Sequence, residues 1–254
     1  MPAIYKLSAL ALLIAAAAPT QVVARPLVVE LFTSESCSSC PPADALLLEL
    51  TKERPELLAL SFHVTYWNRL GWRDPYSLEA ATDRQKGYAR LFGGGVYTPE
   101  MVVDGTRDVV GSDRAAVEQA LQGASTAVPV TLKLSRQGPS LSIDIGAGQG
   151  TATVWLVGYD LIHRTSVNGG ENEGRSLVEA NIVRSLQSLG LWQSGALHTV
   201  AEIPAGERSA IILQSDDGHI LGAARLEDAP GPGASSESVR PEMGSHRPDM
   251  GSQM

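Results

Sequence analysis

Cationic residues, aromatics and cysteines are all scarce in this chain. Lysine and arginine number 20 against 28 aspartates and glutamates, a net charge of −8 over 254 residues. Neutralising phosphates takes clustered Lys and Arg, so the balance argues against nucleic acid as a partner. Aromatics are 5% of the chain, whereas 43% hydrophobic and 19% charged residues describe an ordinary globular protein and exclude disorder throughout. No stretch reaches the roughly eighteen apolar residues of a membrane-spanning helix. With only two cysteines, there is no second pair for a long-range disulfide or for the roughly four ligands of a zinc centre. A hydrolase finds no support, because His163, His198 and the serines form neither a nucleophile elbow nor a metal-binding histidine pair.

The composition divides the chain. Residues 1–24 read as a secretory signal peptide: a positive start at Lys6, an apolar run over 7–18, and small residues through Val22-Val23-Ala24. The mature chain is therefore expected to be exported, most plainly to a bacterial periplasm, with no transmembrane span. Over residues 25–125, buried-type strands (27–32, 57–64) alternate with helical spacing (44–52, 78–91). A hairpin signal at Asp104-Gly105 and a helix over 113–121 capped by Ser112 follow, giving the order βαβαββα. Over 126–227 the pattern changes to seven short strands separated by turns, which predicts an antiparallel sandwich. Residues 228–254, rich in Pro, Gly and Ser, form a tail with too little apolar surface to fold, and it carries Met243, His246, Met250 and Met254.

Cys37 and Cys40 carry the chemistry. A Cys-x-x-Cys pair between a buried strand and a helix places one sulfur where amides and the helix dipole stabilise a thiolate. The second cysteine then resolves a mixed disulfide by intramolecular attack. Cys37 is read as the nucleophile and Cys40 as the resolving thiol. A structural disulfide is the competing reading, although a ring this short constrains little of the unfolded chain. Pro41-Pro42 suit only a first helical turn, which moves the helix start to Cys40 and makes Ser36, Ser38 and Ser39 candidate partners for the sulfur.

The stretch VVELFTSESCSSC over 28–40, with Thr98-Pro99 and the strand and hairpin after it, resembles the thioredoxin superfamily. More narrowly, CSSCPPAD together with HVTYWNRLGWRDPY resembles a bacterial secreted thioredoxin-like family catalogued as a domain of unknown function, over residues 27–226. The resemblance implies an α/β thioredoxin-like domain followed by the all-β sandwich-like one. It also implies a cis peptide at Pro99 whose loop, with Thr98, pairs with a bound polypeptide. The position that holds a buried aspartate in many thioredoxins is Leu31 here, with Glu30 one place off.

Eight of the chain's aromatics fall within residues 62–97, around the segment 63–76 that leaves the second strand's carboxyl end, where open sheets place their sites. Trp67 and Trp72 are candidate substrate contacts, and Glu30, His63, Ser38 and Ser39 candidate auxiliary groups. Arg69, Arg73 and Asp74 read as solvated loop charges. The expected function is thiol-disulfide exchange with a protein or small-molecule thiol or disulfide and a further redox partner. The redox-active disulfide is its only cofactor. The alternatives are a copper-handling protein using Cys37, Cys40, His63, Met243, His246 and Met250 as soft ligands, or a partner-binding protein whose disulfide is not catalytic.

Overall fold

The computed structural model describes residues 25–124 and 130–226. The expected signal peptide and the tail with Met243, His246, Met250 and Met254 lie outside the described residues. Among those described, no helix is long and apolar enough to cross a membrane.

Strands β1 (Leu27–Thr33) and β2 (Leu57–His63) are buried at every position and pair in parallel, Leu27 opposite Leu57 through Thr33 opposite His63. Their nearly unbroken apolar sequence suits strands covered on both faces. Helix α1 (Pro41–Glu53) connects them, with its two prolines in the first turn, where no amide partner is needed, and Leu46, Leu47 and Leu50 buried. Helix α2 (Glu79–Phe92) covers the opposite face and stops at Gly93 in the left-handed region. Strand β3 (Glu100–Val103) runs antiparallel to β1, and β4 (Arg107–Val110) antiparallel to β3, the chain turning at Asp104 and Gly105, both with positive φ. Helix α3 (Arg114–Gly123) begins behind Asp113, whose carboxylate accepts the Ala116 amide at 3.1 Å. The cap is thus one residue later than the Ser112 expected from sequence.

The sequence reading fails at the next level. It predicts an α/β thioredoxin-like domain followed by an all-β sandwich-like domain. The chain is instead mostly β, with three helices among the described residues and one mixed eight-stranded sheet running through both halves. The order is β11-β10-β7-β8-β2-β1-β3-β4. Strands β7 (Thr151–Ser166) and β8 (Ser176–Gln193) form one long antiparallel hairpin. β10 (Arg208–Gln214) and β11 (Ile220–Arg225) extend it outward. The join is parallel and short, Ser61 of β2 opposite Ile182 of β8. Beside it, Asn181 takes a positive φ and its Nδ2 donates to the Ala59 carbonyl at 2.7 Å. Local periodicity reports which residues form strands but not which strands pair, and no sequence signal marks a junction this small.

The remaining strands, β5 (Leu132–Gln137), β6 (Ser140–Ile145) and β9 (Leu197–Glu202), form a separate three-stranded sheet. It packs Leu141 and Ile143 against Leu156, Trp192 and Ile211 of the large one. Along β1 the alternation sends Val29 and Leu31 toward α1 and α3, and Val28, Glu30 and Phe32 toward α2.

Candidate functional site

Cys37 and Cys40 lie between the end of β1 and the start of α1 and form a disulfide, with both residues fully buried. Cys40 occupies the N-cap of α1 and its carbonyl accepts the amides of Ala43 and Asp44. Cys37 therefore precedes the helix by a turn, and its sulfur is served by hydroxyls. Thr98 Oγ1 donates to Cys37 Sγ at 3.3 Å, and Ser39 Oγ lies 3.3 Å from the same sulfur. The Thr98–Pro99 peptide is cis. Trp67 Nε1 donates to Thr98 Oγ1 at 2.8 Å and Ser39 Oγ to the Thr98 carbonyl at 3.4 Å, so Trp67, Thr98 and Ser39 enclose Cys37 together. Trp72 instead donates through Nε1 to Glu35 Oε2 at 2.7 Å.

Behind the disulfide lies a cluster of ionisable groups, most of them absent from the sequence reading. His63, fully buried at the end of β2, is 2.8 Å from Asp74 Oδ2 through Nδ1 and 3.6 Å from Glu179 Oε1 through Nε2. Asp74 is buried and also accepts the amides of Glu35 and Tyr76, so it is a structural anchor and not the solvated loop charge expected. Asp44, on the inner face of the first turn of α1, accepts Thr33 Oγ1 at 2.7 Å. Asp44 Oδ2, Glu35 Oε1, His63 Nε2 and both carboxylate oxygens of Glu179 have no hydrogen-bond partner among the described residues.

These surroundings set the protonation states. Burial opposes the charged imidazolium, but Asp74 and then Glu179 outweigh it and push His63 up to about 10. Burial pushes Asp44 up to about 7 against the pull of His63. Burial likewise raises Glu179 well above the carboxylate range, and raises Glu35 with help from Asp74. Asp74 moves the other way: burial would raise it, but His63 and the amides on its oxygens hold it low. The cluster thus pairs one cation, His63, with the Asp74 carboxylate, beside three carboxyl groups, Asp44, Glu35 and Glu179, that burial shifts toward the neutral form.

The long hairpin supplies the last component. Its tip, residues 167–175, reaches the Cys37–Cys40 loop from the far half of the chain. Asn172 Nδ2 donates to the carbonyls of Glu35 at 2.9 Å and Cys37 at 2.8 Å. Glu171 Oε2 accepts both the amide and the hydroxyl of Ser38, at 2.9 and 2.7 Å. A Cβ on Gly169 would lie 2.9 Å from the Gly71 carbonyl oxygen, so the approach requires glycine there.

Glu30 is far from this arrangement in chemical terms. It is buried under α2, accepting from Arg84 Nε at 2.5 Å and from the Tyr88 hydroxyl. For copper, the two sulfurs are joined to each other and His63 is committed to Asp74. No group of three or more His, Cys, Asp or Glu among the described residues is arranged to hold a metal ion. Asp44 left a trace in the sequence, an acid on the helix face otherwise made of Ala43, Leu46, Leu47 and Leu50. Glu171, Asn172 and Glu179 left none.

Comparison with known proteins places this arrangement. The family described as "Protein of unknown function (DUF1223)" matches residues 28–214. A crystal structure of an Agrobacterium tumefaciens protein, determined by a structural genomics consortium, is similar at 32% identity with a TM-score of 0.66, over 80% of this chain and 94% of that one. HBP35 of Porphyromonas gingivalis is similar in fold alone, at 14% identity and a TM-score of 0.57, over 86% of this chain and 81% of that one. No curated protein matches the chain.

Proposed function

The chain belongs to the DUF1223 family of proteins of unknown function, and from that premise we propose that it is an exported thiol-disulfide exchanger acting through Cys37 and Cys40. The observation that carries this reading is the Thr98 hydroxyl donating to the Cys37 sulfur, with the Ser39 hydroxyl beside it. Donors aimed at a sulfur stabilise its thiolate, which a purely structural disulfide has no need to form. The resemblance of the segment around Cys37, Cys40 and Pro99 to thioredoxin active sites supports the same reading.

In the direction that oxidises a client, a substrate thiolate attacks Cys37 Sγ. The S–S bond breaks and its electron pair leaves on Cys40 Sγ, giving a mixed disulfide. Cys40 then takes a proton, and Asp44, one helical turn on and close to half-protonated at neutral pH, is its donor. A second substrate thiolate attacks the substrate sulfur of the mixed disulfide and frees Cys37, which takes up a proton. Two substrate thiols have become one disulfide, and one protein disulfide two thiols. The reverse sequence reduces a client disulfide, with Asp44 receiving the Cys40 proton.

Equilibration with glutathione buffers followed by counting of free thiols tests the proposal. A reversible two-electron couple between roughly −120 and −270 mV is expected. A bond that stays oxidised below about −300 mV would be structural and would overturn the reading.

A further inference from the structure

Away from the disulfide, one flank of α2 and the surfaces of β7, β8 and β10 enclose a groove of about 350 Å³. Its floor is a buried network. Arg84 donates to Glu30 through Nε and, at 3.0 Å, through Nη2. The Tyr88 hydroxyl accepts from Arg84 Nη2 at 3.2 Å and from Gln214 Nε2 at 2.9 Å. Gln214 Nε2 also donates to the Gly218 carbonyl, which fixes the orientation of its amide. Arg84 and Gln214 are each only 9% exposed.

Two polar atoms of this network are unused. Arg84 Nη1 and Gln214 Oε1 have no hydrogen-bond partner among the described residues, and neither is among the buried atoms sealed from solvent. Both side chains line the groove. Their heads bond the same hydroxyl, so the free donor and the free acceptor belong to one hydrogen-bonded cluster lining the groove. Above them rises the half-buried indole of Trp155, against which the Arg84 guanidinium lies at 5.5 Å, with Leu186 beside it. The opposite wall contains Gly87, in the middle of α2, where an added Cβ would meet nothing closer than 3.8 Å. Glycine in a helix interior is destabilising relative to alanine, and here a side chain would enter the groove.

Charge narrows the occupant. Glu30 already neutralises Arg84, and Asp83 and Asp216 stand at the rim with Arg90, so the floor offers no surplus positive charge to a carboxylate. A neutral group that both accepts and donates fits the two free atoms. We propose that this groove binds a small, uncharged, planar aromatic molecule bearing a carboxamide. The ring lies along Trp155 and Leu186, the amide oxygen accepts from Arg84 Nη1, and the amide N–H donates to Gln214 Oε1. The site is independent of the redox reading.

Benzamide and benzoate, titrated separately into the full chain while the Trp155 indole N–H resonance is followed, test the proposal. Benzamide is expected to shift that resonance saturably and to leave Trp192 unmoved, with benzoate at least tenfold weaker. Gly87→Leu, which fills the groove from the helix side, is expected to weaken benzamide at least tenfold. Should circular dichroism show that variant unfolded, Thr153→Trp fills the groove from the opposite wall with the same expectation. Absence of a saturable Trp155 shift, equal affinity for benzoate, or undiminished binding in a folded, groove-filled variant would each overturn the assignment.

Discussion

Asp44 and His63 give the disulfide a pH dependence that its sulfurs alone do not have. With Asp44 raised to about 7, reduction by a phosphine, its rate normalised to the unprotonated phosphine at each pH, should slow as pH rises through that value. Asp44→Asn should remove the inflection, and a profile unchanged in the variant would dismiss Asp44 as the proton donor. His63, raised to about 10 from an ordinary value near 6.5, binds its proton more tightly folded than unfolded. Its contribution to stability is therefore complete below about 6.5 and is lost as pH climbs toward 10. Denaturant titrations should show stability falling across that window. His63→Gln should flatten the fall and cost about 3–5 kcal/mol at neutral pH by leaving Asp74 a buried, unpaired charge. A variant as stable as the parent would mean that Asp74 does not need the imidazolium.

At the scale of elements, the spacer Ser38-Ser39 is exposed while the sulfurs beneath it are fully buried. A reductant reaches Cys37 only when the spacer lifts, and the two hydrogen bonds from Ser38 to Glu171 hold it down. Solvent-exposed bonds of this kind are worth about 0.5–1.5 kcal/mol each, so Glu171→Ala should speed phosphine reduction by about fivefold. Equal rates in stopped-flow measurements would show that the hairpin tip does not restrain the spacer. The sequence was readable up to this point and no further. The strand before Cys37, the late start of α1 imposed by Pro41-Pro42, and the turn at Asp104-Gly105 all follow from local rules. Glu171 and Asn172 meet the redox loop across more than 130 residues of chain, and no local rule reports such a contact. Asp74 was misread for a related reason: its burial depends on His63 and Glu35 closing over it, not on its neighbours in the loop.

For the whole molecule, the continuous sheet changes what unfolding should look like. Two domains joined by a linker would melt separately, whereas here β2 pairs with β8 and the hairpin tip is bonded to the redox loop. Unfolding followed by tryptophan fluorescence, with Trp155 and Trp192 in the second half, should coincide with exposure of the disulfide to reductant. Two separated transitions would return the chain to an arrangement of independent halves. The strands of the second half were individually legible from their alternation and turns. Their assignment to a sandwich followed from counting strands without knowing their partners, and the Ser61 to Ile182 pairing decided the matter.

The hairpin has one more consequence, a mechanical one. Trp155, in the groove wall, and the tip at Glu171 belong to the same two-stranded ribbon, irregular at Gly158 and Tyr159 and spanning roughly 35 Å of extended strand along β7. Were the ribbon to tilt as one body, about 5° at the groove end would carry the tip about 3 Å at that strand length. That is as long as the bonds tying Glu171 and Asn172 to the redox loop. A displacement of that size would part the hairpin tip from the loop that carries the disulfide.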